Sequence, residues 1–246
     1  MGWNTSLIII ENKENFSNEN ELLELLGFIN YEQIESTTFD EILNPKNNQI
    51  GIGYYNGNII ICDGYQLTTQ SIEDAKNLDL VAYEKKLVNL FPTAEIVTVS
   101  CVSSVNFHGY SLIQNGEKKR LKYVAEDTKQ EFGQRFEEEI EIYQNAYEED
   151  GKFCWKDEED EDEIYFEDQL MEDFTFKITK RRLGVQIDTE EADDLFEKTT
   201  FQVYQPAHQK KAINQSSKTT DFKWKKYILI AAILIVIKIV FKLLKE

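Results

Sequence analysis

QIGIGYYNGNIIICDG, residues 49–64, places two runs of β-forming residues on either side of Asn56-Gly57. An Asn-Gly pair between such runs is the strongest short-range signal for a β-hairpin. Gly51 and Gly53 give the stretch a superficial look of a nucleotide loop. A dinucleotide fingerprint, however, needs a helix directly after its glycines, and here a hairpin turn follows. The signal returns at Asn115-Gly116, after the long strand expected within residues 94–124.

Outward from these hairpins, residues 7–10 (LIII) form an unbroken apolar run with β-branched character, which suits a central strand covered on both faces. NENELLELLGF, residues 18–28, reads as a helix with leucines at 22, 23, 25 and 26 and a stop at Gly27. Ser71, with Asp74 three positions on, is expected to cap one core-facing helix that carries Ile72, Ala75, Leu78, Ala82, Val88 and Phe91 and ends at Pro92. Phe132, Phe136, Ile140, Tyr143 and Tyr147 recur at spacings of three and four, which predicts another packed helix. In residues 171–184 the alternation of Phe174, Phe176 and Ile178 suits a strand, while Phe174, Ile178 and Arg182 share a helix face; Gly184 as a stop favours the helix. Thr189 can cap a short last helix, and TTFQVYQ, residues 199–205, adds an edge strand before Pro206. The acidic stretch around residues 148–173 is expected to be a solvated loop, because crowded like charges repel. The fold class is therefore α+β: a mixed sheet with two Asn-Gly hairpins and packed helices over residues 1–204. A flexible polar linker, residues 205–222, and one C-terminal transmembrane helix, residues 223–246, follow.

The net charge of −18 is unevenly distributed, since residues 223–246 hold six lysines and one glutamate and leave the rest near −23. So acidic a domain is a poor match for nucleic-acid phosphates, and it is compatible with a basic protein partner or a divalent cation. Cys62, Cys101 and Cys154 are odd in number and far apart, so no disulfide framework is indicated; without a CxxC or Cys/His cluster, zinc is not expected, and no cofactor is. The N-terminus lacks the basic and apolar regions of a secretory signal, which leaves the domain in a reducing cytoplasm. Met1, Gly2 and Ser6 match a myristoylation pattern, but the buried strand expected at residues 6–10 pulls Gly2 against the fold.

Three kinds of chemistry can be drawn from the residues. The first is a hydrolase at the end of the strand holding Cys101 and Ser103, with Ser104, Asn106 and His108 sharing one strand face. The bland alternative is that His108 simply hydrogen-bonds near a hairpin. The second is cation binding by Asp157, Asp160 and Asp162, flanked by Glu159 and Glu161, although no calcium-loop glycine and terminal glutamate pin those oxygens. The third is recognition of a basic partner by the acidic surface, the logic of an immunity or inhibitor protein.

The tail KWKKYILIAAILIVIKIVFKLLKE, residues 223–246, decides location. Residues 227–244 include six Ile, four Leu, two Val and one Phe, worth roughly −4 to −8 kcal/mol of insertion against at most about 2.5–3.5 kcal/mol for each buried lysine. Eighteen residues cover about 27 Å, slightly short of a hydrocarbon core near 30 Å, so the span shifts towards Trp224 as interfacial anchor. Lys225, Lys226 and Tyr227 sit at one end; Lys238 and Lys242 must bend back to reach the other interface. Lys238 could instead pair with an acidic group on another copy, which allows a homo-oligomer through the anchor.

Finally, MGWNTS (residues 1–6), SSVNFHGYSLIQNGEKKR (103–120) and RRLGV (181–185) resemble an uncharacterised bacterial domain-of-unknown-function family whose members begin M-G-x-x-T. The matching positions are Val105, Asn106, Gly109, Tyr110, Asn115 and Gly116; Trp3 and the acidic run depart from the pattern. The resemblance implies a mixed αβ domain and carries over no catalytic residue. The expectation is a tail-anchored, single-pass membrane protein whose acidic domain faces the cytoplasm and acts through protein binding, touching membrane lipid through its tail. The alternative reading is a membrane-tethered hydrolase.

Overall fold

The structure, a computed structural model, describes residues 2–125, 128–156 and 164–207. Asp157, Asp160 and Asp162, His208 in the linker, and the anchor residues Trp224, Lys225, Lys226, Tyr227, Lys238 and Lys242 lie outside the described residues. In chain order the elements are β1 (Asn4–Glu11), α1 (Glu19–Leu26), β2 (Tyr31–Thr38), α2 (Phe39–Ile42), β3 (Ile50–Tyr55), β4 (Asn58–Cys62), α3 (Thr68–Ile72), α4 (Ala82–Leu90), β5 (Ile96–Val102), β6 (Phe107–Gln114), β7 (Glu117–Ala125), β8 (Thr128–Gly133), α5 (Glu137–Tyr143), β9 (Tyr147–Glu149), β10 (Lys152–Lys156), β11 (Ile164–Phe166), α6 (Met171–Leu183), α7 (Asp193–Lys198) and β12 (Thr200–Pro206).

Nine strands form one sheet in the order β2-β12-β3-β4-β1-β5-β6-β7-β8, and β11-β10-β9 form a second, small one. The fold is α+β as expected, but the sheet is not mixed: every strand pairing among the described residues is antiparallel. Both Asn-Gly hairpins form, β3–β4 and β6–β7, with Asn56, Gly57, Asn115 and Gly116 all at positive φ as a type I′ turn requires. The apolar run of β1 sits between β4 and β5, with Leu7 and Ile9 facing one core and Ile8 and Ile10 the other. Helices α2, α5, α6 and α7 pack on the first face, and α1, α3 and α4 on the second.

The two glycines of QIGIG serve this layering. A Cβ on Gly51 would lie 2.3 Å from Ile42 of α2, and one on Gly53 would lie 2.7 Å from the Phe201 ring of β12. Their missing side chains let a helix and a large aromatic approach the sheet backbone.

Four other expectations need correction. The single helix after Ser71 is two, α3 and α4, because Asn77 accepts from the Asp79 N–H (2.8 Å) in a turn that breaks the chain between them. Ser71 lies inside α3, buried, and so cannot cap. The helix drawn through Phe132 and Tyr147 is only α5: Phe132 belongs to β8 and Tyr147 to β9, and Gly133 at φ +83° ends β8. The acidic stretch is no loop over its whole length, since β9, β10 and β11 occupy its described parts and bury Cys154 and Trp155. Strand β12 is not an edge: it pairs with β3 and β2, and the polar β2, without apolar alternation to reveal it, is the edge.

A candidate site at the β5–β6 turn

Cys101 on β5 and His108 on β6 are directly opposed in the ladder, so their side chains leave the same face of the sheet. Between them the chain turns through a 3-10 segment, Ser103–Val105, closed by Asn106 at φ 48°, ψ 43°. Asparagine is one of the few side chains that tolerates this left-handed conformation. Helix α6 crosses the same face, and its first turn brings in Glu172.

The result is a compact cluster. Cys101 Sγ lies 3.4 Å from His108 Nδ1 and 3.6 Å from Ser103 Oγ. Ser103 accepts from the Trp3 N–H at 3.0 Å and donates to Glu172 Oε2. Trp3 is itself pinned edge-on against Phe176 of α6, ring centroids 4.8 Å apart. One thiol, one imidazole nitrogen and one carboxylate oxygen thus lie within 4.8 Å of one another.

Burial sets the protonation of this cluster. Cys101 is fully buried, and burial pushes its thiol up to about 12; hydrogen bonds from Ser103 oppose the shift, and the Glu172 and Asp188 carboxylates add to it. His108 is 3% exposed, and burial lowers its pKa despite the Glu172 carboxylate nearby. Near neutral pH the pair is therefore thiol and neutral imidazole, not thiolate and imidazolium. Around it gather more carboxylates: Asp173 is raised by burial and by Asp188 and Glu172. Asp188 Oδ1 is buried with no hydrogen-bond partner among the described residues. None of Glu172, Asp173 and Asp188 forms an ion pair among those residues.

The sequence-derived trio is not what assembles. Ser104 is exposed in the turn and Asn106 serves as its left-handed closure, while His108 turns inward to Cys101. The strand ends at Val102, so the alternation that put Ser104 and Asn106 on the face of His108 does not continue through the turn. Glu172 was out of reach of sequence reasoning. It lies in a run of acidic residues that read as solvated, and nothing local ties it to a cysteine 71 positions earlier.

Strand β7 holds a second unanticipated feature. Its residues EKKRLKYVA look solvent-facing, yet Lys118, Arg120 and Lys122 are all buried. A bulge between Leu112 and Ile113 shifts the register, so Lys118 faces α3 and α4 while Arg120 and Lys122 face α5 and α6. Lys118 pairs with Glu84 at 2.9 Å, whose other contacts are Ser71 and the Val81 N–H. The Arg120 guanidinium meets Glu139 at 2.7 Å and Glu131 at 2.8 Å, and Tyr110 donates to Glu139 at 2.7 Å. Lys122 meets Glu167 and the Tyr143 hydroxyl and lies 4.0 Å from the centre of the Phe174 ring. Each cation has its own carboxylate and hydrogen-bond partners, the condition under which charge is tolerated inside a protein.

No helix among the described residues is long and apolar enough to cross a membrane. No protein-family model, curated protein or solved structure matches the chain, so no residue role at this site is inherited from a relative.

Proposed function

We propose that the chain is a tail-anchored, single-pass membrane protein whose acidic α+β domain lies in the cytoplasm and works by binding a basic protein partner rather than by turnover. The observation that carries the second half is the state of the Cys101–His108 pair. A nucleophilic cysteine needs an accessible thiolate; this one is fully buried and its thiol is pushed up to about 12. Ser104, the other candidate nucleophile, is exposed in the turn while His108 bonds to Cys101. The first half is supported by the apolar residues 227–244 and by the lysines on both sides of them.

The charge near −23 of residues 1–222 supports a positive partner, whose approach such a field would steer. Membrane tethering and partner binding are compatible, since a linker of about 18 residues reaches roughly 25 Å on average. The test is carbonate extraction of membranes carrying the full chain or a chain ending at residue 222. The full chain should stay in the pellet and the shortened one should be released; a shortened chain that still pellets overturns the anchor. Ser104→Ala should leave the cellular effect intact, and loss of the effect in that variant overturns binding in favour of hydrolysis.

A further inference from the structure

We propose that Cys101, His108 and Glu172 form a site for one thiophilic divalent transition-metal ion of the zinc class. It is a role distinct from partner binding and does not depend on it.

The geometry is the main argument. A zinc ion takes sulfur at about 2.3 Å and imidazole nitrogen at about 2.0–2.1 Å. In a regular tetrahedron those bond lengths put sulfur and nitrogen roughly 3.6 Å apart. The observed Sγ···Nδ1 separation is 3.4 Å, so an ion at bonding distance from both would see an angle of about 103°. This pair is therefore already spaced for a metal without backbone movement. It is held at that spacing by the antiparallel register of β5 and β6. Glu172 lies within 4.8 Å of both donor atoms, which is about 1 Å beyond the oxygen span of the same tetrahedron, a gap within reach of a side-chain rotation.

Two further observations point to a cation. Asp188 Oδ1, five residues past the end of α6, is buried without a hydrogen-bond partner among the described residues. A buried carboxylate oxygen left unpaired is costly, and a cation held in this part of the fold would offset that cost. In addition, none of Glu172, Asp173 and Asp188 forms an ion pair among the described residues. By contrast, the buried carboxylates Glu84, Glu139 and Glu167 each have a lysine or arginine, and buried Asp63 accepts from the Leu67 and Thr68 N–H groups and the Thr68 hydroxyl.

The donor set selects the class of metal. Calcium and magnesium ask for six or more oxygens, whereas one thiolate, one imidazole and one carboxylate suit zinc and its neighbours in the transition series. Binding replaces the thiol proton with a sulfur–metal bond, and that proton leaves to solvent without any redox change. The Ser103 hydroxyl, fixed by the Trp3 N–H and donating to Glu172, acts as the outer-sphere group that aims the carboxylate. A metal here would join β5, β6 and the N-terminus of α6, and would tie Trp3 in through Ser103.

The experiment uses the purified full chain in detergent, stripped with a chelator and titrated with Co²⁺ in excess Mg²⁺, so that a hard cation occupies the acidic surface. One equivalent of Co²⁺ should bind and produce a near-ultraviolet thiolate-to-cobalt band, and Zn²⁺ should displace it. Cys101→Ser should abolish the band, and Glu172→Gln should weaken Co²⁺ binding at least tenfold. Circular dichroism checks that both variants fold. A measurement needing no variant is X-ray absorption of the zinc-loaded wild type, which should show one sulfur near 2.3 Å with nitrogen and oxygen neighbours near 2.0–2.1 Å. Binding with no sulfur in the shell, equal binding by Cys101→Ser, or no binding in excess Mg²⁺ would each overturn the site.

Discussion

Replacing Glu139 by glutamine removes one charge from the middle of the domain and keeps the side chain's size. In the native structure its carboxylate is fully buried and accepts from Arg120 Nε at 3.0 Å and Nη2 at 2.7 Å, and from the Tyr110 hydroxyl at 2.7 Å. The guanidinium, 2% exposed, would keep Glu131, the carbonyls of Phe132 and Gly133 and one neutral amide oxygen, and would lose its buried counter-charge. A buried charge stripped of its partner costs about 3–5 kcal/mol, and the surviving contacts put this case near 3. With a urea slope of about 2–3 kcal/mol per molar for a domain of this size, the unfolding midpoint should fall by about 1–2 M. Tryptophan fluorescence reports the transition, since Trp3 and Trp155 pack against the same core. Tyr110→Phe, Arg120→Met and Glu139→Leu combined should recover most of the loss, because an apolar replacement of a whole buried ion pair is near neutral. A midpoint shift below about 0.4 M for Glu139→Gln, the size expected for an exposed pair, would refute the reasoning.

Glu167 makes a second, pH-dependent prediction. Burial alone would raise its carboxyl, but the charge of Lys122 and hydrogen bonds from Lys122, Lys129 and Tyr143 outweigh it and hold the group at about 2. Because the folded value lies below the ordinary 4.5, its contribution is complete above about pH 4.5 and is lost as pH falls towards 2. The urea midpoint should therefore drop between pH 5 and pH 3 by more in the wild type than in Glu167→Gln; equal drops would remove Glu167 from the account. Gly133→Ala should cost about 2–4 kcal/mol, since its φ is +83° and a Cβ would meet the Lys119 carbonyl oxygen at 2.0 Å. Gly151→Asn, at φ +76° with open space around it, should cost under about 1 kcal/mol, and equal thermal shifts for the two would contradict the packing. In the anchor, Lys238→Leu should leave carbonate resistance unchanged, because it removes the least favourable residue of the apolar span.

What the sequence determined by itself was whatever local chemistry specifies. Asn-Gly pairs demand positive φ and turned both hairpins; Gly27 and Gly184 ended α1 and α6 in the left-handed conformation expected of them. The unbroken apolar run of β1 could only be satisfied between two covered faces. The rest depended on partners far along the chain. Whether β12 is an edge depends on β2, whose polar residues carry no strand period, more than 160 positions earlier. Lys118, Arg120 and Lys122 of β7 are neutralised only because Glu84, Glu139 and Glu167 arrive from α4, α5 and the turn after β11. The same holds at the candidate site. The pairing of Cys101 with His108 follows from strand register after a turn that breaks the alternation, and Glu172 enters only because α6 crosses that face. Charge and donor atoms carry no local signature of burial; packing supplies it.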